Sequence, residues 1–404
     1  MKNSKKGFTL VELLVVIAIV AILATVAVIG YTSFTKKADI SNDTVIAKEL
    51  TTLIQATDIN DPVENFDDVM SVLYANGFYL ANLNTKTEGC FFVWDSANNQ
   101  ILLVDGKDNF NVIFPESGYS EKGAAWHLIC SDRDLLDGLD LGDIQVVRAV
   151  SSIESLQEFI AEGGEVYLDS SVVLNAGNTI KINDENADIV LNLGGNSLST
   201  NGTITSVPVE IIAGNLTVND AVIGGSGTFE NENGSFATAV GFDGINAPRL
   251  ILNNCEITGV GNAVAGANYQ DGPAYVEVNN CTLSSNNVGF QASSATVVLN
   301  NTNINCPNPI FATFGANVTI NSGNYVSTTD CMFEMHDNSN GATKVTVNGG
   351  NFTFNDLVIW NGSTTIVING GTFNNVDYLE FFETYDAADT NVSIEGNVVT
   401  LTKK

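Results

Sequence analysis

Three neighbouring side chains, Glu334, His336 and Asp337, form the only mixed cluster of carboxylates and histidine in the sequence, and a further acid, Glu380, follows downstream. Glycoside hydrolysis by the common route needs two carboxylates at a defined separation. Elimination from acidic sugars needs calcium-binding aspartates and a basic proton acceptor, yet Arg249 is the only arginine after residue 150. We therefore predict no catalytic residue, metal site or cofactor, while an enzyme acting on polysaccharide remains an alternative.

A second carboxylate, Glu12, interrupts an otherwise apolar segment that runs from Phe8 to Gly30. About 20 apolar residues in a helix cover the roughly 30 Å of a bilayer core, so we expect residues 8–30 to cross the membrane once. Lys2, Lys5 and Lys6 precede the segment and should stay on the cytoplasmic side. A carboxylate in that setting costs about 2.5–3.5 kcal/mol, which indicates that Glu12 has a partner.

The residues around Glu12, Lys-Lys-Gly-Phe-Thr-Leu-Val-Glu-Leu-Leu from Lys5, resemble the signature of type IV pilins and related pseudopilins. The resemblance implies a leader of residues 1–7, a prepilin peptidase that cuts after Gly7, and methylation of the new amino terminus on Phe8. It also implies that Glu12 meets the amino terminus of a neighbouring pilin subunit during assembly, where two opposite charges satisfy each other. The implied location is the bacterial cytoplasmic membrane, followed by an extracellular pilus.

The chain is strongly acidic, with 46 Asp and Glu against 16 Lys and Arg and a formal net charge of −30. Contacts to phosphate backbones need clustered basic side chains, so nucleic acid is excluded as a partner. The acidity is typical of a soluble, exposed surface, and binding of divalent cations is the alternative interpretation.

The membrane segment is expected to continue as one helix over residues 8–60, because no proline occurs before Pro62. Four apolar residues at helical spacing (Ile46, Leu50, Leu53 and Ile54) predict a stripe that packs on a globular head, residues 43–148. In the head we predict a short helix over 67–76, a hairpin of Cys90–Asp95 and Gln100–Asp105, and a third strand over 111–115. Cys90 and Cys130 are the natural disulfide pair within this domain. His127 is assigned a structural role.

Residues 151–404 contain a repeat in which two apolar residues, separated by one position, precede an asparagine. Most copies start 21 to 27 residues apart, with one longer step of 34, which fits the coils of a parallel β-helix. The repeated asparagines should bond to one another between coils, with a left-handed backbone at the turn. They are Asn192, Asn219, Asn253, Asn279, Asn300, Asn321, Asn348 and Asn369. Val392–Glu395 is interpreted as a ninth copy, and Ser152–Glu162 as a helix that caps the amino-terminal end.

Cys255 and Cys281 occupy the same place just after the repeated asparagine, two residues beyond it, so they should be neighbours on adjacent coils. The spacing of about 4.8 Å between strands permits a disulfide, but free buried thiols are equally compatible with the pattern.

A column of apolar residues, predicted to stack inside the coils, comprises Phe290, Phe311, Phe333, Ile359 and Phe381. Alternation along a strand then places their neighbours outside. These outward residues are Ile310, Met332, Val358, Trp360 and Phe382, together with the acids Glu334 and Glu380. Aromatic rings beside acids are typical of carbohydrate recognition, so this side is a candidate ligand face. The alternative is that the terminal segment, residues 377–404, covers it.

The predicted fold is therefore an α+β pilin, with a long helix and a small antiparallel sheet, followed by an all-β domain that resembles right-handed parallel β-helices. That fold occurs in polysaccharide lyases, glycoside hydrolases, phage tailspikes and adhesins, so the fold alone does not decide the activity. The leading hypothesis is a minor or specialised pilin whose β-helix binds a surface ligand, a glycan by our interpretation. An envelope-tethered polysaccharide-degrading enzyme and a pseudopilin of a secretion system are the alternatives.

Overall fold

A computed structural model of the 404-residue chain describes residues 10–59, 62–79, 83–130, 133–161, 163–231, 234–243, 246–267, 274–336, 342–361, 364–374, 390–395 and 398–403. The chain divides into two compact units, residues 1–146 and 147–404. The first is an α+β unit, and the second is a parallel β-solenoid of about seven turns.

The first unit is built on one long helix, α1 (Leu10–Asp58). The predicted packing stripe is present, because Leu50 and Ile54 are fully buried together with Ala47, one turn before Leu50. Towards its start the helix is apolar and exposed, with Leu13 58% and Ile17 58% exposed. Among the described residues, no helix meets the length and apolarity that crossing a membrane requires.

The head of the first unit packs a short helix and a four-stranded antiparallel sheet against α1. Its elements are α2 (Phe66–Ala75), β1 (Cys90–Asp95), β2 (Gln100–Asp105), β3 (Asn111–Phe114) and β4 (Trp126–Cys130). The sheet order is β3–β2–β1–β4, and two 3-10 turns, Gly106–Asp108 and Arg133–Leu136, follow β2 and β4. The hairpin of β1 and β2 has the predicted bounds, whereas β4 was not predicted.

Hydrogen bonds from α1 fix this helix to the head. The hydroxyl of Thr51 accepts from the backbone N–H of Ile101 in β2 at 2.9 Å. The carboxylate of Asp43, which is fully buried, accepts from the backbone N–H groups of Lys86 and Thr87, both at 2.9 Å, and from the Thr87 hydroxyl at 2.7 Å. A buried carboxylate is tolerated when several donors surround it, so Asp43 joins the loop before β1 to the helix.

The second unit is a three-sided solenoid in which equivalent strands of successive coils pair in parallel. In the asparagine column, the strands from β8 onward end at the repeated asparagine or one residue before it. The column contains β6 (Gly164–Leu168), the second half of β8 (Ile180–Asn192), the second half of β10 (Val209–Asn219), β13 (Arg249–Asn253), β16 (Ala274–Asn279), β19 (Ala295–Asn300), β22 (Asn317–Ile320), β25 (Lys344–Val347) and β28 (Thr365–Ile368). Before β6, a further strand, β5 (Gln145–Val150), pairs with it in parallel.

The other two sides of the solenoid are equally regular. The second column contains β7 (Val172–Leu174), β9 (Ser197–Ile204), β11 (Val222–Asn231), β14 (Glu256–Gly259), β17 (Thr282–Ser285), β20 (Asn303–Cys306), β23 (Asn324–Ser327), β26 (Asn351–Thr353) and β29 (Gly371–Asn374). The third column contains the first halves of β8 and β10, then β12 (Gly234–Asp243), β15 (Asn262–Ala267), β18 (Val288–Ser293), β21 (Asn308–Thr313), β24 (Cys331–His336) and β27 (Asp356–Asn361).

The long step of 34 residues has a local cause. Between Asn219 and Asn253, β11 and β12 extend past the coil and pair with each other as an antiparallel hairpin, Gly227–Asn231 against Gly234–Thr238. The additional residues therefore form this hairpin, and the parallel register resumes after it.

Both ends of the solenoid are closed. At the amino-terminal end, α3 (Ile153–Ile160) begins at the N-cap Ser152 and buries Leu156 and Phe159 in the solenoid core, as predicted. At the other end β30 (Thr390–Glu395) pairs with β31 (Val398–Lys403) in a hairpin, and β31 runs antiparallel to β29. The prediction that Val392–Glu395 forms a ninth parallel copy is therefore wrong. An antiparallel hairpin instead covers an edge that would otherwise be open to pairing.

Candidate functional site

The candidate ligand face lies on the outer side of the third column, but its residues differ from the prediction. Strand pairing aligns Gln291, Phe311 and Glu334 in one row on adjacent coils. Phe311 and Glu334 are half-buried, whereas Phe290 and Phe333, which lie in the adjacent row, are fully buried in the core. Gln291 is only 4% exposed and accepts from the Asn262 side-chain amide, so we call Phe311 and Glu334 the outer row.

Glu334 is held in one orientation by two neighbours. Its Oε2 accepts from the Asn308 side-chain amide at 2.5 Å, and its Oε1 lies 2.8 Å from Nε2 of His336. The side chains of Glu334 and His336 are 27% and 29% exposed, while Asn308 is 2% exposed. The carboxylate therefore reaches solvent from a fixed, partly buried position, where a protonated His336 would form an ion pair with it.

An aromatic ring lies beside this carboxylate. The ring centroids of Phe311 and His336 are 5.4 Å apart with a tilt of 34°. The site therefore combines a half-exposed apolar ring with a carboxylate that accepts hydrogen bonds. Sequence reasoning missed Phe311 and Asn308. Asn308 stands at the start of β21, a position that no repeat pattern distinguishes.

The predicted inward column was wrong at Phe311. The column that stacks in the core is Val264, Phe290, Ile310 and Phe333, and the backbone of Val358 continues this register. Ile310 and Met332, which were predicted to face outward, are fully buried core residues. The physical reason is that the path from the asparagine column to the third column varies in length from coil to coil, so equal counting from the asparagine does not give equal register.

Trp360 also has a different register from the predicted one. Its backbone pairs with Met335, which is fully buried in the core, and Met335 itself pairs with Ala312. Ile359, rather than Trp360, is in register with Glu334. Glu380 and Phe382, the remaining members of the predicted face, lie outside the described residues.

The eight repeated asparagines form a continuous asparagine ladder. The amide Nδ2 of each donates to Oδ1 of the asparagine one coil earlier, at 2.6–2.8 Å from Asn219 to Asn369. Asn192 donates to Glu165 Oε1 at 2.8 Å and so ends the series. The left-handed backbone falls one residue after the ladder, with φ of 54° at Asp220 and 54° at Asn254, so its predicted position was one residue early.

All six cysteines lie in the described part of the chain, where they are buried thiols without a disulfide. Cys130 packs in a cluster with Phe91 and Val93, on one face of the head sheet. Cys90 precedes Phe91 on the same strand and therefore faces the other side, so the predicted pair Cys90 and Cys130 is not bridged. Burial raises the pKa of the Cys90 thiol to about 11. Cys255 and Cys281 are adjacent, as the repeat predicted.

His127 contacts two aromatic rings in the head. Its ring is stacked on Phe66 at 6.0 Å and lies 4.9 Å from the ring of Trp94. Among the described residues, no group of three or more His, Cys, Asp or Glu side chains is placed to hold a metal ion.

The remaining predicted residues lie at the amino terminus. Gly7 and Phe8 are outside the described residues, and Glu12 lies in the first turns of α1.

Comparison with known proteins supports the interpretation of the amino terminus. The family model described as the prokaryotic N-terminal methylation motif matches residues 2–28. Neither the curated proteins nor the solved structures contain a match to the chain. The motif is the signal of type IV pilins and pseudopilins, and it implies processing by prepilin peptidase and assembly with other pilins.

The fold and the motif are together compatible with one class of protein. A methylation motif followed by a β-solenoid fits a surface protein of the pilin or pseudopilin type, anchored in the membrane first and exposed by assembly.

Proposed function

We propose that this chain is a minor or specialised pilin whose solenoid binds a glycan through the outer row. The observation that carries the proposal is the occurrence, on one chain, of the methylation motif and of a rigid solenoid with a fixed carboxylate beside an aromatic ring. A bulky second domain hinders close packing along a filament, which favours a tip or sparse position over that of the major subunit.

The chemistry of the outer row favours a sugar. The Glu334 carboxylate can accept hydrogen bonds from hydroxyl groups, and its orientation is already fixed by Asn308 and His336. The ring of Phe311 offers an apolar surface for the C–H face of a sugar ring. The net charge of −30 disfavours anionic polymers, so the expected ligand is a neutral or amino sugar.

Assembly depends on the amino-terminal segment in this proposal. Residues 8–30 hold the subunit in the membrane, and Glu12 pairs with the amino terminus of a neighbour. The test is to express the full chain with a prepilin peptidase and to analyse its amino terminus by mass spectrometry. We expect a chain that begins at methylated Phe8, no cleavage in Gly7→Val, and cleavage without assembly in Glu12→Ala. An uncleaved wild-type chain under these conditions would contradict the pilin assignment.

Glycan binding is tested with the processed full chain in detergent, incubated with a panel of bacterial and host polysaccharides. Mass spectrometry of the retained and the shortened sugars distinguishes binding from cleavage. Retention that is lost in Glu334→Gln and in Phe311→Ala supports the proposal. Shortened products would instead establish the polysaccharide-degrading enzyme. If the sugars are neither retained nor shortened, the result would favour a pseudopilin or a purely structural solenoid.

The matched control for this experiment is Glu277→Gln. The Glu277 side chain is 26% exposed, close to the value for Glu334, and it also lies beside an aromatic residue, because the Tyr275 hydroxyl donates to it at 2.9 Å. There, however, the face of the Tyr275 ring is occupied by the Arg249 guanidinium, 4.4 Å from the centroid. The control should therefore retain glycan binding.

A further inference from the structure

The position two residues after each ladder asparagine forms a column of small side chains at one corner of the solenoid. From Asn253 onward, this column contains Cys255, Cys281, Thr302 and Gly323, on successive coils. Cys255 and Cys281 are 2% and 0% exposed and belong to the same core cluster. Two thiols therefore occupy equivalent positions on adjacent coils.

The two cysteines are in direct contact. The backbone N–H of Cys255 donates to Sγ of Cys281 at 3.2 Å. Adjacent parallel strands in register are about 4.8 Å apart, which is within the Cα separation of about 4.4–6.8 Å that a disulfide spans. A change of side-chain rotamer, without a change in the coil, is thus sufficient to join the sulfurs.

The two sulfurs have different chemical environments. The contacts with the Cys255 side chain and backbone N–H hold the pKa of the Cys281 thiol below its ordinary value, whereas the contact with Cys281 and burial raise the pKa of Cys255. Both thiols are buried in the folded solenoid, so exchange with an external oxidant takes place before the coils close over them.

We propose that Cys255 and Cys281 are joined by a disulfide in the exported protein, which fastens two adjacent coils at this corner. The methylation motif implies exposure at the cell surface, an oxidising location in which disulfides persist. This inference rests on export alone and does not depend on glycan binding.

The reaction requires a disulfide-bearing oxidant in the cell envelope, such as an exported thiol oxidoreductase. Before the coils close, one of the two cysteine thiolates attacks one sulfur of the oxidant, forms a mixed disulfide and releases the other sulfur as a thiol. The second cysteine thiolate then attacks Sγ of the first and displaces the oxidant as its second thiol. The two cysteines lose two protons and two electrons, and the oxidant gains both.

The other four cysteines are not placed to compete. Cys306 lies in the second column, in register with Ser327, whereas Cys331 belongs to the third column. Cys90 and Cys130 face opposite sides of the head sheet, as described above. One specific disulfide and four remaining thiols are therefore expected.

The test uses the full chain, recovered from the envelope of a bacterium with an oxidising envelope and alkylated under denaturing conditions. Peptide mapping by mass spectrometry should find a linked pair of peptides that contain Cys255 and Cys281, and four alkylated cysteines. After reduction, all six should be alkylated. Six alkylated cysteines without reduction, or any other pairing, would overturn the proposal.

Thr302 provides a substitution that should preserve the fold. It occupies the same column, and its hydroxyl donates to the Val278 carbonyl at 3.1 Å, as the Cys281 thiol does to the Leu252 carbonyl at 3.4 Å. We expect a reductant to lower the unfolding temperature of the wild-type solenoid and to have no effect on Cys281→Thr. An equal effect of the reductant on both proteins would show that this pair is not the stabilising bond.

Discussion

The asparagine ladder permits a sharp test of how much burial contributes to a side-chain hydrogen bond. Asn192 and Asn348 each make two ladder hydrogen bonds of nearly equal length, 2.6 and 2.8 Å for Asn192 and 2.8 and 2.8 Å for Asn348. They differ in environment, because Asn192 is 3% exposed whereas Asn348 is exposed. Replacement by alanine removes one donated and one accepted side-chain hydrogen bond in each variant.

The expected costs follow from what replaces the lost bonds. At Asn348, water can reach the freed amide groups, so the two bonds together should be worth less than about 1 kcal/mol. At Asn192, the half-buried amide of Asn219 loses its acceptor, and such an unsatisfied group costs about 1–3 kcal/mol, whereas Glu165 is exposed and keeps the Tyr167 hydroxyl as a donor. We expect a difference of about 1 kcal/mol, which is roughly a five-fold change in a local opening equilibrium.

Hydrogen-exchange mass spectrometry of the full chain measures this difference coil by coil. Peptides from β8 and β10 should exchange faster in Asn192→Ala, and peptides from β25 and β28 should change little in Asn348→Ala. Peptides from the head strand β1 serve as an internal reference in both variants. Equal losses in the two variants, or a larger loss at Asn348, would refute the assignment of the ladder's contribution to burial.

Three further perturbations have expected outcomes. Gly323→Ala should destabilise the solenoid by about 3 kcal/mol or more, measured by thermal unfolding, because φ is +127° and a Cβ would clash with the Thr302 carbonyl oxygen. Burial by itself raises the pKa of Asp95, but hydrogen bonds, led by those from Ser120, outweigh it and hold that pKa below its ordinary value. The head should therefore lose stability as pH falls below about 4, measured by urea unfolding, and Asp95→Asn should remove that part of the dependence. Phe159→Ala in the cap should cost about 3–5 kcal/mol, measured by hydrogen exchange of the first coils.

Each of these three perturbations has a control in the chain. Gly77 also has a positive φ, +80°, but no atom lies within 4 Å of the position that a Cβ would take, so Gly77→Ala should cost less than Gly323→Ala. Asp108 is exposed, and Asp108→Asn should leave the pH dependence unchanged. Val173 is 54% exposed, and Val173→Ala should not alter exchange in the first coils. A control that behaves like its partner variant would contradict the corresponding reasoning.

Much of the fold could be predicted because its signals are local or strictly periodic. The β1–β2 hairpin has a four-residue turn, three of whose residues are polar, between two apolar runs, and its bounds follow from that pattern. The ladder could be predicted because each asparagine directly follows the strand that sets its register. In both cases, the residues that carry the sequence pattern lie within a few residues of the strand whose position they predict.

The outer row could not be predicted, because two corners of each coil separate it from the repeated asparagine. Differences in the number of residues at these corners add up and change which residues of the third column face outward. A difference of one residue in a corner exchanges the inner and outer faces of the next strand. Phe311 illustrates the effect, since its aromatic side chain matched the core pattern while Ile310 occupies the core position. The role of Asn308 depends on Glu334, 26 residues later, and no local pattern connects these two residues.

Two acids set the direction of the hydrogen bonds in the asparagine ladder and in a second ladder beside it. Every amide in the asparagine ladder donates towards the amino-terminal end, where Glu165 accepts from Asn192. A second ladder has the same direction, with Asn254 donating to Asp220 and Asn280 donating to Asn254. A carboxylate only accepts, so it orients the first amide, which leaves its oxygen as the acceptor for the next. The acids at the ends therefore select one of two otherwise equivalent directions for each ladder.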